Sequence, residues 1–349
     1  MKIELLRFRK LILVYFTLQI ILFFLFVDVA FAQQKKTADK TLKTEEIRVR
    51  DPFIFADKST QTYYLYASVH NRTQDESEGQ GVEVYTSKDL QNWTQPKVVF
   101  KVPNDFWATN AVWAPEVHFY NGKYYLFTTF TSNDTLSNQP EAPSLKWPRR
   151  YKRGSQILVS DLPTGPFEPF CNKPHTRSDW MTLDGTLWVE DAHPYMVYCH
   201  EWIQIENGTM DLIALETDLS ATKGDNFVLF NASDAPWVKA VKYGPGYVTD
   251  GCFLYKTKTG NLLMIWSSMG ADGYAIGIAA SESGSVKGLW KHQQKCLFKN
   301  DGGHGMIFTT FDGELVIALH QPNSRPNERM QLYKLKDTGN SLELDEKLF

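Results

Sequence analysis

The sequence lacks an excess of charge of either sign, and it contains few cysteines. Its formal net charge is −3 at pH 7, so we expect no electrostatic attraction to nucleic acid or to an anionic membrane surface. The four cysteines are far apart and form no metal-binding pattern: Cys171, Cys199, Cys252 and Cys296. They permit disulfides without requiring one, and their pairing stays open.

Beyond its N-terminal region the chain also lacks a convincing amphipathic helix. Aromatic residues are abundant instead: they make up 14% of the chain, with 10 Trp and 16 Tyr, and many lie in alternating runs typical of β-strands. Aromatic side chains bind the apolar faces of sugar rings, but filling a β-core is the commoner role of any single one. The composition therefore favours an all-β protein.

A targeting signal accounts for the long apolar run at the N-terminus. A positively charged start precedes the run Leu11 to Phe26, and the small-x-small sequence Ala30-Phe31-Ala32 follows it. This pattern predicts a signal peptide over residues 1–32 and a secreted or periplasmic protein. An uncleaved anchor is the alternative, but the cleavage site disfavours stable membrane insertion. Residues 33–46 are polar and predicted to be disordered.

The first segment after this lead-in carries one acid at the start of a hairpin. In RVRDPFIF, Arg48 to Phe55, Asp51 precedes a proline, which favours an extended backbone at Asp51. A short apolar strand, a polar turn and the aromatic return strand YYLYAS follow. A lone Asp-Pro is more often a turn or capping residue, so the interpretation depends on repetition.

Similar segments begin at Ala114, Asp184, Asp250 and His304, at intervals of roughly 60 residues. Each continues as an apolar strand, a turn and an aromatic return strand, and most units add a third strand with a polar cap. Five units of about four strands predict an all-β, five-bladed β-propeller with antiparallel strands, over residues 47–349. A two-sheet sandwich would not explain five restarts.

The innermost strand of each blade lines the central channel, so the five segment starts should meet at one end of it. Asp51, Asp184, Asp250 and His304, together with Glu116 of the second unit, are therefore expected close together. Stability gives no reason to crowd acids, because like charges raise one another's pKa. The cluster predicts a functional site.

These residues resemble glycoside hydrolase family 43, the five-bladed β-propeller enzymes that cleave arabinose- and xylose-containing glycans. The matching segments occur in order at blade spacing: RDPFIF (50–55), VWAPEVHFYNGKYYLF (112–127), LDGTLWVE (183–190), VTDGCFLYK (248–256) and GGHGMIF (302–308). The resemblance implies a secreted inverting glycosidase of α-L-arabinofuranosidase or β-xylosidase type, with a carbohydrate substrate and no required cofactor.

The resemblance also implies roles for individual acids. Asp51 corresponds to the general base and Asp184 to the residue that tunes the pKa of the acid. The family's general acid is normally a glutamate before a glycine, whereas this chain has Asp250-Gly251, which is one methylene shorter. The return strand of the third unit offers Glu201 as a second proton donor, level with Asp184. Glu201 could instead be a rim carboxylate or pair with an arginine such as Arg50 or Arg153.

Further residues are candidates for contacts with the sugar. The expected substrate contacts are the stacking walls Trp113, Phe130, Trp202 and Trp266 and the polar residues Glu116, His320 and Gln321. His304 resembles a fifth-blade histidine that contacts a central ion, often calcium, through water, which implies a structural calcium at the propeller centre. The long connection from Thr131 to Gly154 is expected to form a wall of the pocket.

Three alternatives stay open from the sequence. An exo-galactanase or another glycan-active propeller enzyme would use similar acids. A sugar-binding propeller that has lost catalysis would explain the shortened acid at Asp250. A structural or protein-interaction propeller would have no carboxylate cluster at its axis.

Overall fold

The computed structural model describes residues 41–73, 79–139, 148–242 and 244–349. The predicted signal peptide, residues 1–32, lies outside the described residues, as does most of the predicted lead-in. That lead-in is shorter than expected, because Thr44–Glu46 form a 3-10 helix whose Thr44 Oγ1 donates to the Leu90 carbonyl at 2.7 Å. No helix in the described ranges is long and apolar enough to cross a membrane.

Five antiparallel sheets follow one another along the chain, so the prediction of an all-β, five-bladed propeller is confirmed. The first blade contains β1 (Leu42–Lys43), β2 (Phe53–Asp57), β3 (Thr62–Ser68), β4 (Gly81–Ser87), β5 (Asn92–Trp93) and β6 (Lys97–Lys101). The second contains β7 (Ala111–Tyr120), β8 (Lys123–Thr135), β9 (Tyr151–Ser160) and β10 (Glu168–Pro169). The third contains β11 (Thr182–Glu190), β12 (His193–His200), β13 (Thr209–Leu215) and β14 (Thr222–Asn231).

The fourth blade contains β15 (Asp250–Lys256), β16 (Leu262–Gly270), β17 (Gly273–Ser281) and β18 (Trp290–His292), and the fifth contains β19 (Gly303–Thr309), β20 (Leu315–Gln321), β21 (Arg329–Asp337) and β22 (Leu342–Lys347). Short helices are α1 (Val69–Arg72), α2 (Trp202–Ile205) and the 3-10 turns Thr44–Glu46 and Ala232–Asp234. The inner strands contact one another in the ring order β2, β7, β11, β15, β19 and back to β2.

Tight turns set the register of the inner hairpins. Asn121 and Gly122 join β7 to β8 with positive φ angles of 47° and 81°, the conformation that an Asn-Gly hairpin turn requires. Asp191 and Ala192 join β11 to β12 in the same left-handed region, at 49° and 62°. Each turn sends the second strand back to the end of the channel where the first strand began.

The hydrophobic core lies between neighbouring blades. Cys199 and Met210 of the third blade pack in one cluster with Cys252, Met264 and Trp266 of the fourth. All four cysteines of the chain are free, so none of the disulfides that the sequence permits is formed. The stability of the ring therefore rests on this packing and on the sheet hydrogen bonds.

The first and last blades meet without exchanging a strand, because each blade uses one continuous part of the chain. Side chains close this junction instead. Arg48 lies 3.1 Å from the fully buried carboxylate of Glu328, and its backbone forms an isolated bridge with Arg329. The amide of Phe311 donates to the Tyr63 hydroxyl at 3.0 Å.

Candidate active site

Each inner strand has a left-handed residue near its start. The φ angle is 54° at Asp51, 46° at Ala114, 55° at Asp184, 40° at Gly251 and 51° at His304. In the last four blades the pairing register with the next strand shifts at this same point, as in a β-bulge. Non-glycine residues rarely adopt positive φ, and such strain is concentrated at functional sites.

In the fourth blade the predicted start of the repeat, Asp250, is one residue too early. Its left-handed residue is Gly251, whose added Cβ would lie 2.6 Å from Cγ of His304, so only glycine fits there. Asp250 precedes this position and therefore differs from Asp51 and Asp184, which occupy it. The residues immediately before the left-handed position in the first four blades line one cavity: Arg50, Trp113, Leu183 and Asp250.

This cavity, of about 190 Å³, opens at the end of the channel where the inner strands begin. Asp51 and Asp184 lie in its lining, and so do both candidate proton donors, Asp250 and Glu201. Trp113 and Trp202 contribute aromatic walls, and Arg325 of the fifth blade completes another side. The fold thus brings the predicted catalytic residues together.

His304 lies among three of the acids. Its Nδ1 is 3.2 Å from Oδ1 of Asp51 and 3.6 Å from both Asp184 Oδ2 and Asp250 Oδ1. Burial lowers the pKa of His304, but the charges of Asp51 and Asp184 outweigh it and hold that pKa well above its usual value. A protonated imidazole therefore neutralises part of the acid cluster.

Asp51 is held as a carboxylate. Burial would raise its pKa, but the positive His304, a hydrogen bond with His320 and the charge of Arg50 together keep the pKa below its usual value. Nδ1 of His320 lies 3.2 Å from both the amide nitrogen and Oδ1 of Asp51, and Nε2 of His320 lies 3.3 Å from Asn323 Oδ1. An ionised carboxylate near neutral pH is what a general base needs.

The carboxylates of Asp184 and Asp250 lie within 4.8 Å of each other, and their pKa values are shifted in opposite directions. Burial and the nearby charge of Asp250 raise the pKa of Asp184 well above its usual value. Burial also acts on Asp250, but a hydrogen bond from Asp184 and the charge of His304 hold its pKa below its usual value. Asp184 is further fixed by the amide of Gly251, which donates to its Oδ2 at 3.0 Å. These opposite shifts favour protonation of Asp184 over protonation of Asp250.

Glu201 follows the end of β12 and pairs with Arg153 of β9. Nη1 of Arg153 lies 2.5 Å from Glu201 Oε2, and its Nε donates to Thr131 Oγ1 at 2.9 Å. The guanidinium carbon also lies 4.2 Å from the ring centroid of Trp113, in a cation–π contact. Burial raises the pKa of Glu201, and Arg153 partly opposes this.

Comparison with known proteins establishes the family. The sequence matches the profile described as Glycosyl hydrolases family 43 over residues 45–339. The chain belongs to this family, and it is a glycosidase. An endo-arabinase from Bacteroides thetaiotaomicron VPI-5482 has a similar structure, with a TM-score of 0.73 and 40% identity, covering 85% of this chain and 97% of that one.

Two curated relatives of the family 43 enzyme have arabinan-related names. Part of the Bacillus subtilis (strain 168) protein called extracellular endo-alpha-(1->5)-L-arabinanase 1 is 36% identical over 62 residues, which is 16% of this chain and 19% of that protein. A probable arabinan endo-1,5-alpha-L-arabinosidase C from Aspergillus clavatus is 22% identical over 312 residues, covering 81% of this chain and 86% of that protein.

Two of the four predicted stacking walls are wrong. Phe130 is completely buried against Phe100 and Phe106, and Trp266 is completely buried beside Phe230 and Trp237. Neither ring can reach a sugar, because alternate side chains of the second strands point into the packing between blades. Trp113 and Trp202 do line the cavity.

The predicted polar contacts also lie elsewhere. Glu116 is buried with its Oε2 3.0 Å from His118 Nε2, and Gln321 donates to the carbonyl of Asn300 at 2.6 Å. Neither residue lines the cavity. His320 is fully buried and supports Asp51 from behind, so it does not offer a free edge to a sugar.

Arg325 lines the cavity although no sequence motif predicts it, and the region around Arg153 differs from the expected loop. The expected long loop from Thr131 to Gly154 is largely strand at its two ends, because β8 extends to Thr135 and β9 begins at Tyr151. Residues 140–147 of this connection lie outside the described residues. Arg153 therefore sits on a rigid strand, where its side chain braces Trp113 and Glu201.

The predicted calcium at the propeller centre stays a prediction. His304 Nδ1 is occupied by the three carboxylates, which leaves Nε2 as the ring atom that could contact a hydrated cation. Imidazole is a poor direct ligand for calcium, which prefers oxygen. The residues present therefore fit a cation held through water better than one bound directly to the histidine.

Proposed function

We propose that this family 43 enzyme hydrolyses α-L-arabinofuranosyl linkages in arabinose-containing polysaccharides or oligosaccharides, with inversion at the anomeric carbon. The observation that carries the proposal is one cavity lined by Asp51, Asp184 and two aromatic walls, in which the pKa of Asp51 is lowered and that of Asp184 is raised. The 40% identity to an endo-arabinase over most of both chains supports arabinose as the sugar.

In this proposal Asp51 accepts a proton from the water that attacks the anomeric carbon. Its low pKa keeps it ready to do so at neutral pH, and its bonds to His304 and His320 fix its direction. Asp184 tunes the charge of the cluster by holding a proton close to Asp250. The proton donor to the leaving group is Asp250 or Glu201, both of which line the cavity.

A β-xylosidase remains the neighbouring candidate, because the cavity dimensions do not distinguish two pentoses. Two further candidates are an enzyme that cleaves galactan and a sugar-binding protein without turnover, and the assay described below distinguishes them. We propose that the protein is exported, since residues 1–32 have the pattern of a signal peptide and a relative is named extracellular.

The test is turnover by the purified protein on arabino-, xylo- and galacto-oligosaccharides, followed by proton NMR of the first product formed. Rapid release of a product with inverted anomeric configuration from the arabinose substrates alone supports the proposal. Equal or better turnover of another sugar corrects the substrate. Tight oligosaccharide binding without any turnover would refute the enzymatic function.

We further propose that His304 contacts a hydrated calcium ion in the channel. Extensive chelation should then lower the melting temperature of the wild-type protein, and calcium should restore it more fully than magnesium. A melting temperature that chelation leaves unchanged would exclude a stabilising calcium ion.

A further inference from the structure

The two candidate proton donors differ in what surrounds them. Asp250 belongs to the acid cluster around His304: its Oδ1 contacts the same nitrogen as Asp51 Oδ1, at 3.6 and 3.2 Å. Because these two oxygens share one neighbour, they lie at most about 7 Å apart, at the short end of the about 6.5 to 9.5 Å that separates an inverting pair. That distance leaves little room for a sugar and a water between them.

Glu201 enters the cavity from another direction. It follows the second strand of the third blade, outside the ring of left-handed residues, and it lines the cavity beside Trp202. Its side chain is a full methylene longer than that of Asp250. One of its oxygens, Oε2, is held by Arg153, and in the part of the chain that the structure describes Oε1 has no hydrogen-bond partner.

We propose that Glu201 is the proton donor of this enzyme and that Arg153 is the residue that positions it. The inference rests on the proposed function and adds to it which acid protonates the leaving group. Arg153 is suited to the task because it is buried, with 8% of its surface exposed, and is fixed at three points, by Glu201, Thr131 and the Trp113 ring.

Glu201, Asp51 and one water molecule account for every proton that moves in the reaction. Glu201 Oε1–H gives its proton to the glycosidic oxygen as the bond from that oxygen to the anomeric carbon breaks. Water forms the new bond to the anomeric carbon from the opposite face and gives its proton to Asp51. Glu201 is left as a carboxylate facing the guanidinium of Arg153, which stabilises the new charge, and proton exchange with solvent restores both acids.

The electrostatics agree with this assignment. Burial raises the pKa of Glu201, which favours the protonated form that a donor needs before the reaction, whereas the charge of His304 and a hydrogen bond from Asp184 hold the pKa of Asp250 below its usual value. Arg153 opposes the shift of Glu201, so it limits how tightly the proton is retained. Removing Arg153 should therefore make Glu201 a weaker acid.

The experiment compares Glu201→Gln with Asp250→Asn on two substrates, an arabino-oligosaccharide and a nitrophenyl α-L-arabinofuranoside. A nitrophenolate leaves without protonation, so loss of the true donor should spare this substrate. We expect Glu201→Gln to lower kcat/KM for the oligosaccharide by about a hundred- to ten-thousand-fold and for the nitrophenyl substrate by less than about tenfold. Its pH profile should lose the basic limb. Asp250→Asn should affect both substrates alike.

The pH profile of kcat/KM also tests whether Arg153 positions Glu201 and tunes its pKa. Arg153→Met should move the basic limb to higher pH and lower kcat, and Arg153→Lys should restore part of both, because lysine keeps the charge. Arg177→Met is the matched control, since Arg177 forms an exposed ion pair with Asp179 and does not line the cavity. A purely structural role for Arg153 would change kcat or stability without moving the limb.

Two results would overturn the assignment. In one, Asp250→Asn shows the dependence on leaving group and Glu201→Gln damages both substrates equally. In the other, Arg153→Met folds normally and leaves the basic limb where it is in the wild type. If the wild-type protein turns over neither substrate, it is the proposed function itself that is refuted, and the acid assignment is lost with it.

Discussion

Asp211 → Asn should stabilise the protein at alkaline pH far more than at acidic pH. Asp211 lies in β13 and is completely buried, and its Oδ1 has no hydrogen-bond partner within the described residues. Thr209 donates to the other oxygen. Burial raises the pKa of Asp211 from 3.8 to about 6, and the bond from Thr209 opposes the shift.

The sign follows from proton linkage. The folded protein binds this proton more tightly than the unfolded chain, so ionisation of Asp211 lowers the free energy of unfolding as the pH rises from about 4 through about 6. A shift of roughly 2 pKa units corresponds to about 3 kcal/mol, fully expressed only above the folded pKa. Asparagine cannot ionise, so the free energy of unfolding of the variant does not decrease in this way.

The measurement is urea unfolding of wild type and variant at pH 4 and at pH 8. The amide group of asparagine leaves a buried donor unpaired, which adds a constant cost of about 1 to 3 kcal/mol at both pH values. The difference between the two pH values is therefore the test: the variant should gain about 2 kcal/mol relative to wild type on going from pH 4 to pH 8. Exposed Asp225 in the same blade provides the control Asp225→Asn. Parallel pH dependence of wild type and Asp211→Asn would refute the reasoning.

Three further predictions concern the cavity and the ring. Asp51→Asn should lower kcat on an arabino-oligosaccharide by at least about a thousandfold, because no other ionised group shares its position. Asp312→Asn, in an exposed turn, is the control. Substantial residual activity of Asp51→Asn would exclude Asp51 as the base. Gly246→Ala would place a Cβ 2.2 Å from Cε3 of Trp202, so KM should rise while the melting temperature changes little; an unchanged KM would mean that Trp202 does not contact substrate. Glu328→Gln should lower the free energy of unfolding by about 3 kcal/mol in urea denaturation, because it removes the negative charge that faces Arg48, whose side chain is only 13% exposed. A loss under about 1 kcal/mol would contradict a closing role for this pair.

The repeat and the hairpins could be predicted because they depend on local chemistry. The Asn-Gly turn at residues 121–122 and the short motifs at the strand starts consist of consecutive residues, and the spacing of these motifs reveals the propeller. The position of Glu201 could be predicted for the same reason. Cys199 pairs with Leu183, so the return strand places Glu201 at the channel mouth beside Asp184.

The aromatic walls could not be predicted because they depend on which face of a strand meets the cavity. Phe130 pairs with the buried Val112 and shares its face, whereas Trp113, the next residue along β7, points to the cavity. Trp266 lies opposite the register shift between Asp250 and Phe253 and is buried in the core. The contacts of Arg153 with Trp113 and Glu201 connect β9 and β7 of the second blade with the residue that follows β12 of the third. Such a contact has no signature in sequence spacing.

The junction between the first and last blades has a consequence for how the chain can be rearranged. Because every blade is a single uninterrupted length of chain, the order in which blades are connected is not built into any sheet. A circularly permuted protein, with a linker joining Phe349 to Thr41 and new termini opened in an exposed loop between two other blades, should form the same ring. The junction at Arg48 and Glu328 would then become an ordinary internal contact, and the break in the chain would lie at the new opening.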